Sequence, residues 1–351
     1  VSSAAYNWLD RLVHRLALGS RTVRHIAFDL EALSFRTPVN QDGCERAVFV
    51  CGLARSGTTT LLRLLFETGE FQSLTYRDMP FVLMPRLWQR LAQRSYRPAH
   101  PVERAHGDSI LVDFDSPEGF ECVFWRTFSE GRWCTGDALL SHHPAEEVLE
   151  KFRGYVSRIA LRTGRPGRYL SKNNNNLLRL PAIGRALPDA AILLMYRDPL
   201  QTAISSHRQH LRFCQAQTED RFVRNYMDWL GHHEFGLGHR PFLFDSAPPS
   251  LFSPTEPNYW LEYWNRVYRH VQATLTGFHL VGYESFCGSP AEAVRQLFGV
   301  LGLAADSRKY AGRLRLAHTN SIPPFDRTLL EEARSIYQSL LADTRNVWRP
   351  K

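Results

Sequence analysis

Seven consecutive apolar residues, Ala190–Tyr196 (AAILLMY), are too few to span a membrane and show no polar alternation. A run of this kind is a central strand covered on both faces, so the chain must supply packing layers above and below it. A second run, Ala47–Cys51 (AVFVC), has the same character. Each run ends in a polar turn that opens a helix. Arg197 and Asp198-Pro199 follow the first, the proline suiting a first helical turn. GLARSG, residues 52–57, follows the second and leads into Leu61, Leu62, Leu64 and Leu65 at helical spacing. Further strand–helix pairs are expected at Arg168–Ser171 with Asn173–Ala186, and at Phe278–Tyr283 with a helix from Ala291. A last helix is expected from about Thr328 to Arg345. This alternation predicts an α/β fold of three layers, α/β/α, around a mostly parallel central sheet.

With 351 residues, 44% of them hydrophobic, the chain can bury one large core, and a single domain over 1–351 is expected. Residues 1–45 form its N-terminal helical segment. Two stretches without clean periodicity, 76–165 and 212–258, read as insertions that shape a pocket. Within the first segment, residues 8–34 read as one amphipathic helix. Its apolar set, Trp8, Leu9, Leu12, Val13, Leu16 and Ala17, is expected to dock on the core, with a membrane-surface helix as the alternative. Five prolines in 241–257 mark a loop or lid. Lys plus Arg number 43 against 35 Asp plus Glu, a net +8 that suits an anionic ligand or an anionic lipid surface. The basic residues are scattered and form no run, which excludes a nucleic-acid arm. Six cysteines without a C-x-x-C pair argue for free thiols in a reducing, cytoplasmic setting. The first residues, VSSAAYNWLDRLVHRL, lack a hydrophobic signal core.

The segment GLARSGTTTL, Gly52–Leu61, carries the most specific chemistry. Its glycines let the backbone wrap an anion, and the following helix offers unpaired amides and the positive end of its dipole. The Gly-x-x-x-x-Gly spacing is that of a P-loop-like phosphate-binding loop. Thr58, however, stands where a nucleotide kinase needs lysine, and the cation is Arg55, inside the loop. No acidic strand end is placed to hold magnesium. The pattern fits a phosphate-bearing donor other than ATP.

At these residues the chain resembles the sulfotransferase family. GLARSGTTTL is similar to that family's 5′-phosphosulfate loop, with Ala54 in place of the usual proline. MYRDPLQTAISS, Met195–Ser206, is similar to its 3′-phosphate site, where an arginine ending a strand and a serine eight residues later hold the phosphate. Here those are Arg197 and Ser205. The physics is independent of the resemblance, since an arginine fork and a hydroxyl two turns along the next helix can converge on one phosphate. YLSKNNNNLLRLPAIGRALPDAAILLMYRD, Tyr169–Asp198, is similar to the tyrosylprotein-like branch, and GYESF, 282–286, to a Tyr-Glu-Asp-Leu segment after a late strand. The resemblance implies sulfuryl transfer from 3′-phosphoadenosine-5′-phosphosulfate (PAPS), without a metal, to a small-molecule, sugar or lipid acceptor. It implies a donor site of Gly52, Arg55, Ser56, Gly57, Thr58, Thr59, Arg197 and Ser205. Lys172 is implied at the transferring sulfonate, with Asn173-Asn174 replacing a common Lys-x-Pro pattern.

An acceptor alcohol also needs a general base. The branch uses a glutamate soon after the phosphate loop, and Asp78 is the carboxylate in that region, within TYRDMPF, 75–81. The competing candidates lie in 106–121: His106, Asp108, Asp113, Asp115, Glu118 and Glu121. Two other activities compete. A P-loop kinase is opposed by Thr58, and a metal-dependent glycosyltransferase rests on Asp113-Phe114-Asp115 alone. His142-His143, His207-x-x-His210 and His232-His233-Glu234 invite a metal reading, but fourteen histidines make such pairs common by chance.

Overall fold

A computed structural model describes residues 7–35, 45–92, 102–103, 111–129, 132–162, 167–244, 250–312, 314–319 and 321–348. Five parallel strands make the central sheet: β1 Val48–Gly52, β2 Phe71–Gln72, β3 Arg168–Lys172, β4 Ala191–Tyr196 and β5 His279–Gly282, in the order β2-β3-β1-β4-β5. β1 lies between Leu170–Lys172 on one side and Ala191–Met195 on the other. Both neighbours follow β1 in the chain: β2 and β3 are laid on one side before the chain crosses to β4 and β5 on the other, so the carboxyl end of β1 is a topological switch point. Open α/β sheets bind ligands in the crevice at such a point.

Alternate residues of the strands feed two cores. Phe49, Cys51, Leu194 and Tyr196 face one, packed by α4 (Cys122–Phe128), α5 (Glu146–Ala160), α9 (Pro257–Thr274) and α11 (Arg327–Ala342). Val48, Val50, Leu193 and Met195 face the other, packed by α3 (Thr58–Phe66) and α10 (Pro290–Leu301). All five residues of β1 are buried. This is why the two apolar runs show no alternation: water reaches neither face.

Three remaining elements matter for the site. α6 (Leu180–Ala186) is separated from β3 by a 3₁₀ turn at Asn174–Leu178, capped by Asn173, whose side chain accepts from the Asn175 N–H at 3.0 Å. Asparagine side chains compete for the backbone in this way, so the expected helix over Asn173–Ala186 is broken at its start. α7 (Pro199–Glu219) begins with Pro199 after an Asp198 cap that accepts from Gln201 at 2.9 Å. α8 (Arg221–Leu230) follows it directly. In the Pro-rich stretch, Phe242–Leu243 pairs with Leu139–Leu140, while 245–249 lie outside the described residues.

The N-terminal helix differs from the expectation in two ways. It is interrupted, as α1 (Trp8–His14), a π turn at Arg15–Gly19 and α2 (Arg21–Ser34). Of the expected docking set only Ala17 is buried: Trp8, Leu9, Leu12, Val13 and Leu16 are exposed, and His14 and Leu18 are buried in their place. The reason lies in what α8 offers. Arg11 bonds Asp220 at 2.8 Å and His14 meets the Tyr226 ring, so polar and aromatic partners hold the helix by its polar side. No helix among the described residues is long and apolar enough to cross a membrane.

Candidate active site

The loop between β1 and α3 is shaped by two glycines. Gly52 has φ +139°, and a Cβ there would lie 2.4 Å from the Met195 carbonyl; Gly57 has φ +95°, and a Cβ would strike the Tyr283 ring. Only glycine fits either position. Ser56 is buried and donates to the Leu53 carbonyl at 2.7 Å, which closes the turn. Because Gly57 is the cap residue of α3, no side chain covers that helix's first amides. They are open to an anion. Arg55 itself has φ +72°, a strained backbone for a side chain of that size.

A cavity of about 310 Å³ opens at the ends of β1 and β4, lined by Arg55, Arg197, Ser205, Arg208, Arg212 and His318 among others. Arg55 Nε donates to Ser205 Oγ at 3.0 Å, and an Arg197 N–H donates to the Arg55 carbonyl at 3.2 Å. A second Arg197 N–H donates to the Ala317 carbonyl, and the guanidinium lies 4.7 Å over the Tyr283 ring. Its buried Nε has no hydrogen bond, the Glu284 carboxylate standing 3.8 Å away. Ser205, Arg208 and Arg212 share one face of α7. No described residue lining this cavity is acidic.

A second cavity, of about 400 Å³, begins on the other side of the loop and shares Arg55 and Arg212 with the first. Its inner end holds Thr58, Thr59, Lys172, Glu118, Asn174 and Glu234. Lys172 Nζ is 3.8 Å from Glu118 Oε1, which also accepts from the Gly119 N–H at 2.9 Å; Tyr76 donates to Glu118 Oε2 at 3.3 Å. Thr58 donates to Asn174 Oδ1 at 3.4 Å, and Asn174 Nδ2 donates to Glu234 at 3.0 Å. Burial alone would raise the Glu234 pKa. His232, Lys172, the local backbone and Asn174 outweigh it and hold the carboxyl below its ordinary value, so it stays ionised. Farther out the walls are apolar: Phe120, Phe213, Phe222, Tyr226 and Met227.

Comparison with protein-family models matches residues 47–240, more than half of the chain, to one described as the sulfotransferase family. The chain belongs to the sulfotransferase family. The description singles out no branch within it. Among solved structures, this sulfotransferase is similar to one from Mycobacterium avium, with 14% identity, 97% of this chain and 87% of that one covered, and a TM-score of 0.49. Another, from Mycobacterium tuberculosis H37Rv, shows 15% identity, 97% and 88% coverage and a TM-score of 0.46. The sulfotransferase domain from the curacin biosynthetic pathway shows 11% identity, 84% and 97% coverage and a TM-score of 0.38. A search of curated proteins finds no significant match.

The expected site residues of the sulfotransferase fall into two groups. Gly52, Arg55, Ser56, Gly57, Thr58, Thr59, Lys172, Arg197 and Ser205 converge on the two cavities or on the loop between them. Asp78 does not. It is 1% exposed, accepts from the Thr75 N–H at 2.7 Å and pairs with Arg162 at 2.6 Å, away from both cavities. Of the carboxylates expected within 106–121, Glu118 lines the second cavity. His106 and Asp108 lie outside the described residues. Asp115 is held by Arg77 in a fork of two 2.6 Å bonds, and Asp113 caps its own turn through Ser116 at 2.8 Å; this Asp-x-Asp lines neither of the two cavities. Glu121 is buried, accepting from Trp125 at 2.8 Å and Tyr169 at 3.1 Å. Among the described residues no group of three or more His, Cys, Asp or Glu could hold a metal ion. Sequence reasoning missed Arg208, Arg212 and His318. The first two follow Ser205 by three and seven residues, a helical spacing that could have found them; His318 sits in irregular chain and left no signal.

Proposed function

We propose that this sulfotransferase moves a sulfuryl group from PAPS to an acceptor hydroxyl or amine. The observation that carries the reading is the pair of cavities sharing Arg55 and Arg212, one lined by arginines without a carboxylate, the other holding Lys172 beside Glu118. Arg197 and Ser205, which both line the first cavity, would grip the donor's 3′-phosphate. The amides of residues 55–59 and the Thr58 and Thr59 hydroxyls would surround the 5′-phosphosulfate.

Charge in such a transfer spreads over the equatorial oxygens of the moving group, and preorganised cations stabilise it. Arg55 and Lys172 supply those cations on either side of the loop. Glu118 takes the acceptor's proton as the new O–S bond forms; the S–O bond to the 5′-phosphate breaks, leaving adenosine 3′,5′-bisphosphate. Tyr76 and the Gly119 N–H orient the Glu118 carboxylate for this. The test is a melting assay followed by turnover with labelled donor. Adenosine 3′,5′-bisphosphate at a hundred times its dissociation constant should add about 2.7 kcal/mol, and transfer should persist in EDTA. A shift by ATP alone would return the kinase reading, and turnover needing Mn²⁺ the glycosyltransferase reading.

A further inference from the structure

α1 presents its apolar side to solvent. Trp8 is 71% exposed, Leu9 51% and Leu16 54%, with Leu12 and Val13 between them. Nothing among the described residues covers this stripe, while the opposite side of the helix is held by charged and aromatic contacts. Those contacts are to residues of the acceptor cavity. Arg11 pairs with Asp220 and lies 4.8 Å over the Phe222 ring, and His14 meets Tyr226; Asp220, Phe222 and Tyr226 all line the cavity. The cavity's outer wall and the exposed stripe are thus the two sides of one α1–α8 layer.

We propose that the acceptor is a hydroxylated amphiphile drawn from a bilayer, with α1 as the lipid-facing lip of the acceptor cavity. This rests on the sulfuryl-transfer reading above. The inner end of the cavity is polar, with Lys172, Glu118 and Glu234, and suits a single hydroxyl-bearing head. Its outer part is walled by Phe213, Phe222, Val223, Tyr226 and Met227, which can bury an apolar tail, with the charged Arg212, Glu219 and Asp220 also in the lining. A tail leaving that mouth meets α1. The head's O–H proton passes to Glu118, its oxygen gains the sulfuryl group, and the S–O bond to the donor phosphate breaks.

Charge selects a bilayer over a second copy as the stripe's occupant. Arg15 and Arg21 are exposed beside it against one exposed acidic residue, Asp29; α2 adds exposed Ile26, Leu30 and Leu33, and the chain carries +8. A twofold pairing would set these arginines against themselves, whereas an anionic leaflet neutralises them while the tryptophan and leucines enter its interface.

The experiment has two readouts on the whole chain and one control. With PAPS as donor and 1-alkanols from butanol to dodecanol as acceptors, kcat/KM should rise about fourfold per methylene until the cavity is full. The protein should cosediment with phosphatidylcholine vesicles containing about 30% phosphatidylglycerol. Leu12→Glu/Leu16→Glu should abolish cosedimentation while leaving hexanol turnover unchanged. A flat alkanol series, or vesicle binding insensitive to the double substitution, overturns the proposal, as does a concentration-dependent dimer that the substitution dissolves. The control is calorimetry with adenosine 3′,5′-bisphosphate. If that nucleotide binds, these failures count against the amphiphile alone; if it does not, the sulfuryl-transfer reading falls and takes this proposal with it.

Discussion

The two cavities that share Arg55 are built on opposite electrostatic plans. On the side of Arg197 and Ser205, arginines face the space and are held by carbonyls, a hydroxyl and an aromatic ring. No carboxylate lines that space, although Glu284, outside the lining, stands 3.8 Å from Arg197, so the arginines that face the cavity suit an anionic ligand. On the side of Lys172, the cation has its carboxylates in place, Glu118 at 3.8 Å and Glu234 close enough to be held ionised. That half is nearly neutral by itself and suits an uncharged acceptor. An anion binds the first half by completing it; a reacting group enters the second without upsetting its charge. The difference separates what should fail on substitution in each half.

The largest effect belongs to the self-neutralised half. Glu118→Gln should lower turnover by about 10²–10⁴-fold, the range for removing a general base, with nucleotide affinity unchanged. Asp78→Asn should do the reverse. It strips the buried Arg162 of its partner, at a cost of about 3–5 kcal/mol of stability, yet the molecules that fold should turn over normally. Kinetics at low temperature beside a denaturation curve for each variant checks the pair. Equal losses of turnover would return Asp78 to the reaction and remove the contrast.

Acid should act next most strongly, and through stability. His142, His210 and His233 are buried, and each accepts a hydrogen bond, from Arg179 at 3.0 Å, from the Gly236 N–H at 3.2 Å and from Arg240 at 3.2 Å. A protonated ring nitrogen cannot accept. Burial, with Arg179 nearby, pushes His142 down to about 2. Burial, with the charge of His207 or Arg240 nearby, pushes His210 and His233 each to about 4. In the unfolded chain all three take up protons below about 6.5. The unfolded state therefore binds more protons between about pH 4 and 6.5, and stability rises with pH across that window. Each histidine should cost about 1.4 kcal/mol by pH 5.5 relative to pH 7.5. The melting temperature should therefore fall as the pH drops from about 7.5 to 5.5. A level melting temperature across that window would show that these rings are not held neutral in the folded chain.

The donor half was legible because its parts are contiguous with strand ends. Gly52–Thr59 and Arg197–Ser205 each run from a buried strand into a helix, and sheet topology brings the two ends together. Strand β2, two residues long, is too short for any periodic signal. The acceptor half depends on which member of an acidic, irregular stretch faces inward, and spacing cannot decide that. One local clue was present: Thr75 and Asp78 form a capping box, which marks Asp78 as a partner of its own backbone. α1 teaches a similar lesson. Its period states which residues share a face, but which face docks was set by Asp220 and Tyr226 on α8, more than two hundred residues away.

The smallest effect, and the most selective, belongs to the uncompensated half. Arg197 directly follows β4 and lines the cavity, its guanidinium held by two carbonyls, where an arriving phosphate would meet a largely desolvated cation. A charge-assisted contact of this kind contributes about 1.5–3 kcal/mol. Arg197→Ala should accordingly weaken PAPS by about 10- to 100-fold, while adenylyl sulfate, which lacks the 3′-phosphate, should bind nearly as before. Ser205→Ala removes a neutral hydroxyl and should show the same selectivity at about 3- to 10-fold. The structure also offers a different outcome. Arg197 bonds the Arg55 carbonyl, so it helps hold a loop whose φ of +72° is strained. If that support were its whole contribution, the loop would relax in the alanine variant and both nucleotides would weaken together. Calorimetry with the two ligands on the folded variant separates the cases. Equal losses would make Arg197 a support for the loop and leave the counter-charge of this cavity to Arg208 and Arg212.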